Sequence, residues 1–104
     1  MKGFGYVLAT KMLVQQRLPV MFMYREKGST QDSGWRFFCG KEDQDYCDNP
    51  NNIATYDIQT ILEIDPSIKP YLNSIEGCAF ERADANSCFS PAKGFDFSAP
   101  DKEG

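Results

Sequence analysis

Histidine is absent from this chain of 104 residues, and its absence removes a large share of common enzyme chemistry. The base that activates a serine or cysteine nucleophile is normally an imidazole, so the usual hydrolytic triads have no base here. The four cysteines, Cys39, Cys47, Cys78 and Cys88, are separated by 7, 30 and 9 residues. No C-x-x-C pair exists, and a zinc site would need all four thiolates without the usual spacing. Free thiols are expected in a reducing compartment; Cys39 and Cys78 lie in apolar stretches and read as core, Cys47 and Cys88 as more exposed. No phosphate-cradling glycine loop follows a strand, because Gly3 and Gly5 precede the first one. The longest apolar run, residues 20–24 (V-M-F-M-Y), falls far short of the roughly 20 residues that span a membrane. The N-terminus carries one basic residue, Lys2, and no apolar run of signal-peptide length. A cytoplasmic protein is expected, with no catalytic residue, metal or cofactor.

Hydrophobic residues make up 41% of the chain and aromatics 13%, enough to build a core without metals or disulfides as staples. The length fits one domain. Charged residues make up 25% and the net charge is -4. That sign disfavours nucleic acid and anionic membranes, whose phosphates would be repelled, and suits a basic partner.

Residues 3–10 (G-F-G-Y-V-L-A-T) are aromatic and β-branched and predict a strand. Thr10 then caps a short helix over residues 11–17, which Leu18-Pro19 ends. Residues 20–26 and 34–40 predict two strands of an antiparallel hairpin around the polar segment 27–33. Residues 41–47 suit one or two helical turns, closed by the turn cluster 48–52, and residues 53–56 are extended. Asp57 caps a helix over residues 58–64, and Asp65-Pro66 starts a short irregular one over 67–72, weakened by Pro70. Residues 77–83 are the last strand candidate. The expected fold is α+β: an antiparallel sheet of four to five strands with two or three short helices packed on one face. The domain is expected to span residues 1–83, with 84–104, rich in Ala, Ser, Asp and Pro, as a loosely attached or disordered tail in which Phe89, Phe95 and Phe97 are transient anchors.

Two stretches are candidates for function. Glu42, Asp43, Asp45 and Asp48 form the densest carboxylate cluster. A calcium loop fails there, because Cys47 takes the third ligand position and Asp48 that of the required glycine. The cluster reads either as a solvated turn or as an acidic docking patch for a basic partner. In Asp32-Ser33-Gly34-Trp35-Arg36-Phe37-Phe38, alternation puts Trp35 and Phe37 on one face and Arg36 and Phe38 on the other. Either Trp35 and Phe37 pack inside, or Trp35 and Arg36 form an exposed anchor of the residue types most enriched in binding hot spots. The candidate binding residues are therefore Trp35, Arg36, Glu42, Asp43, Asp45 and Asp48. A protein-binding module is the first reading. A small-ligand or regulatory domain, with a pocket between sheet and helices lined by Tyr24, Trp35, Phe37 and Tyr56, is the second. A monomer or weak homodimer is expected, since a sheet edge can self-pair.

The segments Met23-Tyr24-Arg25-Glu26 and Asp32–Asp43 (D-S-G-W-R-F-F-C-G-K-E-D), with Asn49-Pro50-Asn51-Asn52-Ile53, Tyr56-Asp57, Asp65-Pro66 and Gly77-Cys78-Ala79-Phe80-Glu81-Arg82, resemble the bacterial immunity protein 33-like family, associated with polymorphic toxin systems. The resemblance runs from about Gly5 to Arg82. It implies a cognate toxin as partner, neutralised by binding, and it brings no catalytic residues with it.

Overall fold

The structure, a computed structural model, describes residues 4–92. β1 (Tyr6–Thr10) runs directly into α1 (Lys11–Gln16), because the Thr10 hydroxyl accepts from the Leu13 amide and caps the helix. Arg17 ends it in the left-handed region, φ 53°, with the Leu18 amide donating to the Leu13 carbonyl at 2.9 Å. β2 (Phe22–Arg25) and β3 (Asp32–Phe38) form the expected antiparallel hairpin. α2 (Gln44–Asp48) starts on the Asp43 side chain, which accepts from the Tyr46 amide. A 3-10 turn, Pro50–Asn52, leads into β4 (Ile53–Asp57), and Asp57 caps α3 (Ile58–Ile64). Asp65 and Pro66 open a second 3-10 stretch, Pro66–Tyr71, before β5 (Ala79–Glu81) and β6 (Ser90–Pro91).

The α+β class is as expected, but the sheet has six strands, in the order β4-β1-β3-β2-β5-β6. It is also mixed, because β1 and β3 run parallel while every other neighbouring pair is antiparallel. The cause is the path through α1. The helix carries the chain over one strand width, so the β2–β3 hairpin folds back into the gap and β3 lies beside β1.

α1, α3 and the stretch Pro66–Tyr71 pack on one face. Val7 and Ala9 from β1, Met23 from β2, and Trp35 and Phe37 from β3 meet Leu13, Ile58, Ile61, Ile68 and Leu72 there, all of them buried. Trp35 and Phe37 stack with ring centroids 5.8 Å apart, and the Trp35 indole Nε1–H donates to the Leu72 carbonyl at 3.1 Å. The chain does not leave this body at residue 83. β6 pairs with β5, and Phe89 is buried against Tyr71, centroids 5.3 Å apart, and under the Arg82 guanidinium. The Ala92 amide donates to the Ala79 carbonyl at 2.9 Å, so backbone pairing and a buried ring together hold this Ser- and Pro-rich segment. Residues 93–104, including Phe95 and Phe97, lie outside the described residues.

Candidate functional site

β3 contains the feature that arranges the site. Its register against β1 jumps, with Tyr6 opposite Asp32 but Leu8 opposite Arg36, so β3 bulges at Ser33 and Gly34. Gly34 has φ +92°, and a Cβ there would stand 2.2 Å from the Glu26 carbonyl oxygen. Only glycine fits. In a regular strand the ends of a four-residue step lie about 13 Å apart; the bulge shortens that step and lets Arg36 hold both oxygens of the Asp32 carboxylate, each at 2.9 Å. Arg36 Nε also donates to Glu26 at 2.7 Å. Burial opposes the Arg36 charge, yet these carboxylates outweigh it and push its pKa above the ordinary value. The hydrogen bond from Arg36 in turn holds Asp32 below the usual carboxylate range.

Beside this ion-pair cluster, on the sheet face away from the core helices, alternation places Phe22, Tyr24 and Phe38. Their three ring centroids are mutually 5.9 Å apart, and Tyr24 and Phe38 lie near parallel, at 14°. All three rings are partly exposed. They floor an open cleft of about 630 Å³ whose other wall includes Glu42, Gln44 and Cys47 of the α2 segment. A narrower recess of about 90 Å³, lined by Leu8, Arg36 and Phe37 among others, shares Tyr24, Phe38 and Ile53 with it.

The six sequence candidates separate on this geometry. Trp35 is fully buried at 0% exposure and belongs to the core, so it offers no surface anchor; its indole N–H is spent inside the protein. Arg36 is 8% exposed and its guanidinium is committed to Asp32 and Glu26, which makes it a brace under the cleft and not a contact. Glu42 is a clasp. Its carboxylate accepts from the Thr10 hydroxyl at 2.6 Å, the Cys39 amide at 3.0 Å, the Cys39 thiol at 3.2 Å and the Gly40 amide at 2.9 Å. Partial burial opposes ionisation of Glu42, but these donors prevail and keep its pKa below the ordinary value. Asp43, Asp45 and Asp48 are exposed along α2 and its cap. Asp43 serves as the cap, and Asp48 accepts from Gln44 Nε2 at 2.8 Å.

Of the residues expected to line a pocket between sheet and helices, Tyr24 lines both the cleft and the recess and Phe37 the recess, while Trp35 and Tyr56 line neither. Phe22 and Phe38 were absent from the sequence candidates. Their signal was the alternation 22, 24 and 38, hidden because both faces of this hairpin are aromatic. Burial raises the Cys47 thiol pKa first, and the charges of Glu42, Asp48 and Asp43 raise it further; Tyr24 is raised by burial and then by Glu26. All four cysteines are free thiols, with Cys39 buried and Cys88 exposed. Among the described residues no group of three or more His, Cys, Asp or Glu is arranged to hold a metal ion, and no helix is long and apolar enough to cross a membrane.

Fold and site together define a small α+β module whose mixed sheet is backed by helices on one face and carries an aromatic-floored, acid-edged cleft on the other. A family model described as the immunity protein Imm33 domain matches residues 7–92. The chain belongs to the Imm33 immunity protein family, and the match extends about ten residues past the resemblance seen in the sequence, through β6. No curated protein and no solved structure matches the chain.

Proposed function

We propose that this chain is an immunity protein that neutralises a cognate toxin by binding it directly, with the cleft and α2 as the contact surface. Membership of the immunity family over residues 7–92 carries the reading, because the matched span contains every residue that builds the cleft. Aromatic rings at an accessible surface supply contact area at low entropic cost, and exposed carboxylates beside them speed and orient the approach of a basic surface. In this reading the protein acts by occupancy, with no turnover, in the cytoplasm, as a monomer or weak homodimer. The contact residues are then Asp43, Asp45 and Asp48 with the rings of Phe22, Tyr24 and Phe38, while Glu42 and Arg36 hold that surface in shape.

Co-expression with the toxin encoded beside this gene tests it. Growth rescue together with a stable complex of the purified proteins is the expected result. A toxin that kills equally with and without this chain, and does not bind it, would end the proposal.

A further inference from the structure

β4 stands at one end of the strand order, and its outer edge is unlike the edge at the other end. β6 has two residues, and one of them, Pro91, has no N–H to offer a neighbour. β4 has five, Ile53–Asp57, paired with β1 without a register shift. It carries no proline, bulge or lysine of the kind that protects an edge. Which of its backbone groups face outward follows from β1. The Tyr6 amide donates to the Gln31 carbonyl at 2.7 Å, and the Tyr6 carbonyl accepts from Ser33 Oγ at 2.8 Å, both on the β3 side. Successive residues of a strand direct these groups to opposite sides, so Val7 and Ala9 turn theirs toward Tyr56 and Ala54. Ile53, Thr55 and Asp57 therefore aim their N–H and C=O groups away from the sheet.

Two of these groups are already committed. The Ile53 amide donates to the Pro50 carbonyl, and the Asp57 carbonyl, at the cap of α3, accepts the first bond of that helix. The amides of Thr55 and Asp57 and the carbonyls of Ile53 and Thr55 remain. No described residue pairs with them, and Thr55 and Asp57 are exposed. We infer that this edge pairs with the same edge of a second copy, antiparallel, about a two-fold axis at Thr55. In that register Thr55 exchanges both bonds with its counterpart, and each Asp57 amide donates to the other chain's Ile53 carbonyl. Every open group is used. The groups left facing each other are the Ile53 N–H and the Asp57 C=O, which are the two already satisfied within each chain. A foreign strand on the same edge would set an N–H and a C=O of its own opposite those two and leave both unmade, so the edge fits its own copy best. The threonine pair at the axis is a favourable cross-strand match. Asp57, the one charge on β4, lies opposite Ile53. The two Asp57 side chains are then about 13 Å apart along the strands, beyond the roughly 8 Å over which exposed charges act at physiological salt. A seam this short makes a weak dimer, with a dissociation constant on the order of 0.1 mM.

Hydrogen exchange read by NMR on the full chain at about 10 µM and about 1 mM tests the pairing, with sedimentation velocity at the same concentrations. The Thr55 and Asp57 amides are expected to exchange about fivefold more slowly at the higher concentration, as dimer replaces monomer. The Ala54 and Tyr56 amides, bonded to β1 in both states, should not change. Each copy carries a net charge of -4, so raising salt from about 0.05 M to about 0.5 M should increase the dimer fraction, the reverse of its effect on binding a basic toxin. Thr55→Lys sets like charges opposite each other at the axis and is expected to abolish the concentration dependence. If that variant does not fold, the native chain's residue pattern of protection and its salt dependence decide the matter alone. A chain that stays monomeric at about 1 mM, protection at amides other than Thr55 and Asp57, or a dimer unchanged in folded Thr55→Lys would each overturn the inference. Protection of the same two amides by the toxin but not by concentration would show that the edge takes a foreign strand, and would overturn self-pairing while leaving the immunity role standing.

Discussion

Glu42 was read from the sequence as one of four surface acids, and the structure separates it from the other three. The difference follows from reach. Glu42 follows the Cys39–Gly40 corner closely enough for its carboxylate to curl back onto two backbone amides while the Thr10 hydroxyl arrives from β1. Charged hydrogen bonds contribute more than neutral ones, so Glu42→Gln is expected to cost about 1–2 kcal/mol, seen as a lower urea midpoint at neutral pH. The pH dependence has a definite sign. The folded pKa of Glu42 lies below its ordinary value of 4.5 and that of Asp32 below 3.8, so both contribute stability that is complete above those values. It is lost as pH falls through the lower folded values. Urea midpoints measured from neutral pH down through about pH 3 should therefore fall on acidification, and fall less steeply in Glu42→Gln. Parallel curves for the two proteins would show that Glu42 titrates alike folded and unfolded.

The elements themselves were largely legible, because their signals are local. Thr10, Asp57 and Asp65 each announce a helix start, and Leu18-Pro19 an end, through hydrogen bonds or clashes within a few residues. Strand neighbours were not legible where pairing joins distant segments. Nothing near β1 says that β3 will lie beside it in parallel, and β6 has neither branched residues nor alternation to announce it. The bulge at Gly34 was seen only as the start of a strand, although Asp32-Ser33-Gly34 carries its chemistry: Gly34 N donates to Asp32 Oδ1 at 2.9 Å. Gly34→Ala places a methyl group against the Glu26 carbonyl and is expected to cost about 2–4 kcal/mol, a fall in melting temperature of more than about 8 °C in a chain of this size. A change of under about 2 °C would mean that the bulge relaxes freely. At the other end of the sheet, Arg82 joins β5 to Asp65 at 2.6 Å and to the Val20 carbonyl at 2.9 Å, with its side chain only 3% exposed. Removing one partner of such a pair leaves a buried charge behind, so Arg82→Met is expected to cost about 3–5 kcal/mol. The double variant with Asp65→Asn should recover part of that loss, and a strictly additive double variant would show that the two charges do not interact.

Over the whole molecule, the fold gives the net charge of -4 a direction. Arg36 and Arg82 are consumed in internal pairs with Asp32, Glu26 and Asp65, while Asp43, Asp45 and Asp48 stand together on one exposed segment beside the aromatic floor on the far face of the sheet. Under the proposed function, a basic toxin meets that edge first. Charge at the rim of an interface acts mainly on the encounter, whereas desolvated contacts at its centre act on the lifetime of the complex. Changing Asp43, Asp45 and Asp48 to Asn raises the net charge by three, from -4 to -1. It is therefore expected to slow association with the toxin by about tenfold at low salt and to leave dissociation within about twofold. Stopped-flow or surface-binding kinetics at several ionic strengths separate the two rates. The native protein's association rate should fall with salt until it meets the variant's, since screening at about 0.5 M removes what the substitutions removed. Tyr24→Leu should do the opposite, changing dissociation and leaving the salt dependence of association intact. If the triple variant and the native chain associated at the same rate at every salt concentration, the acidic edge would be a solvated turn, and the toxin would dock elsewhere on the fold.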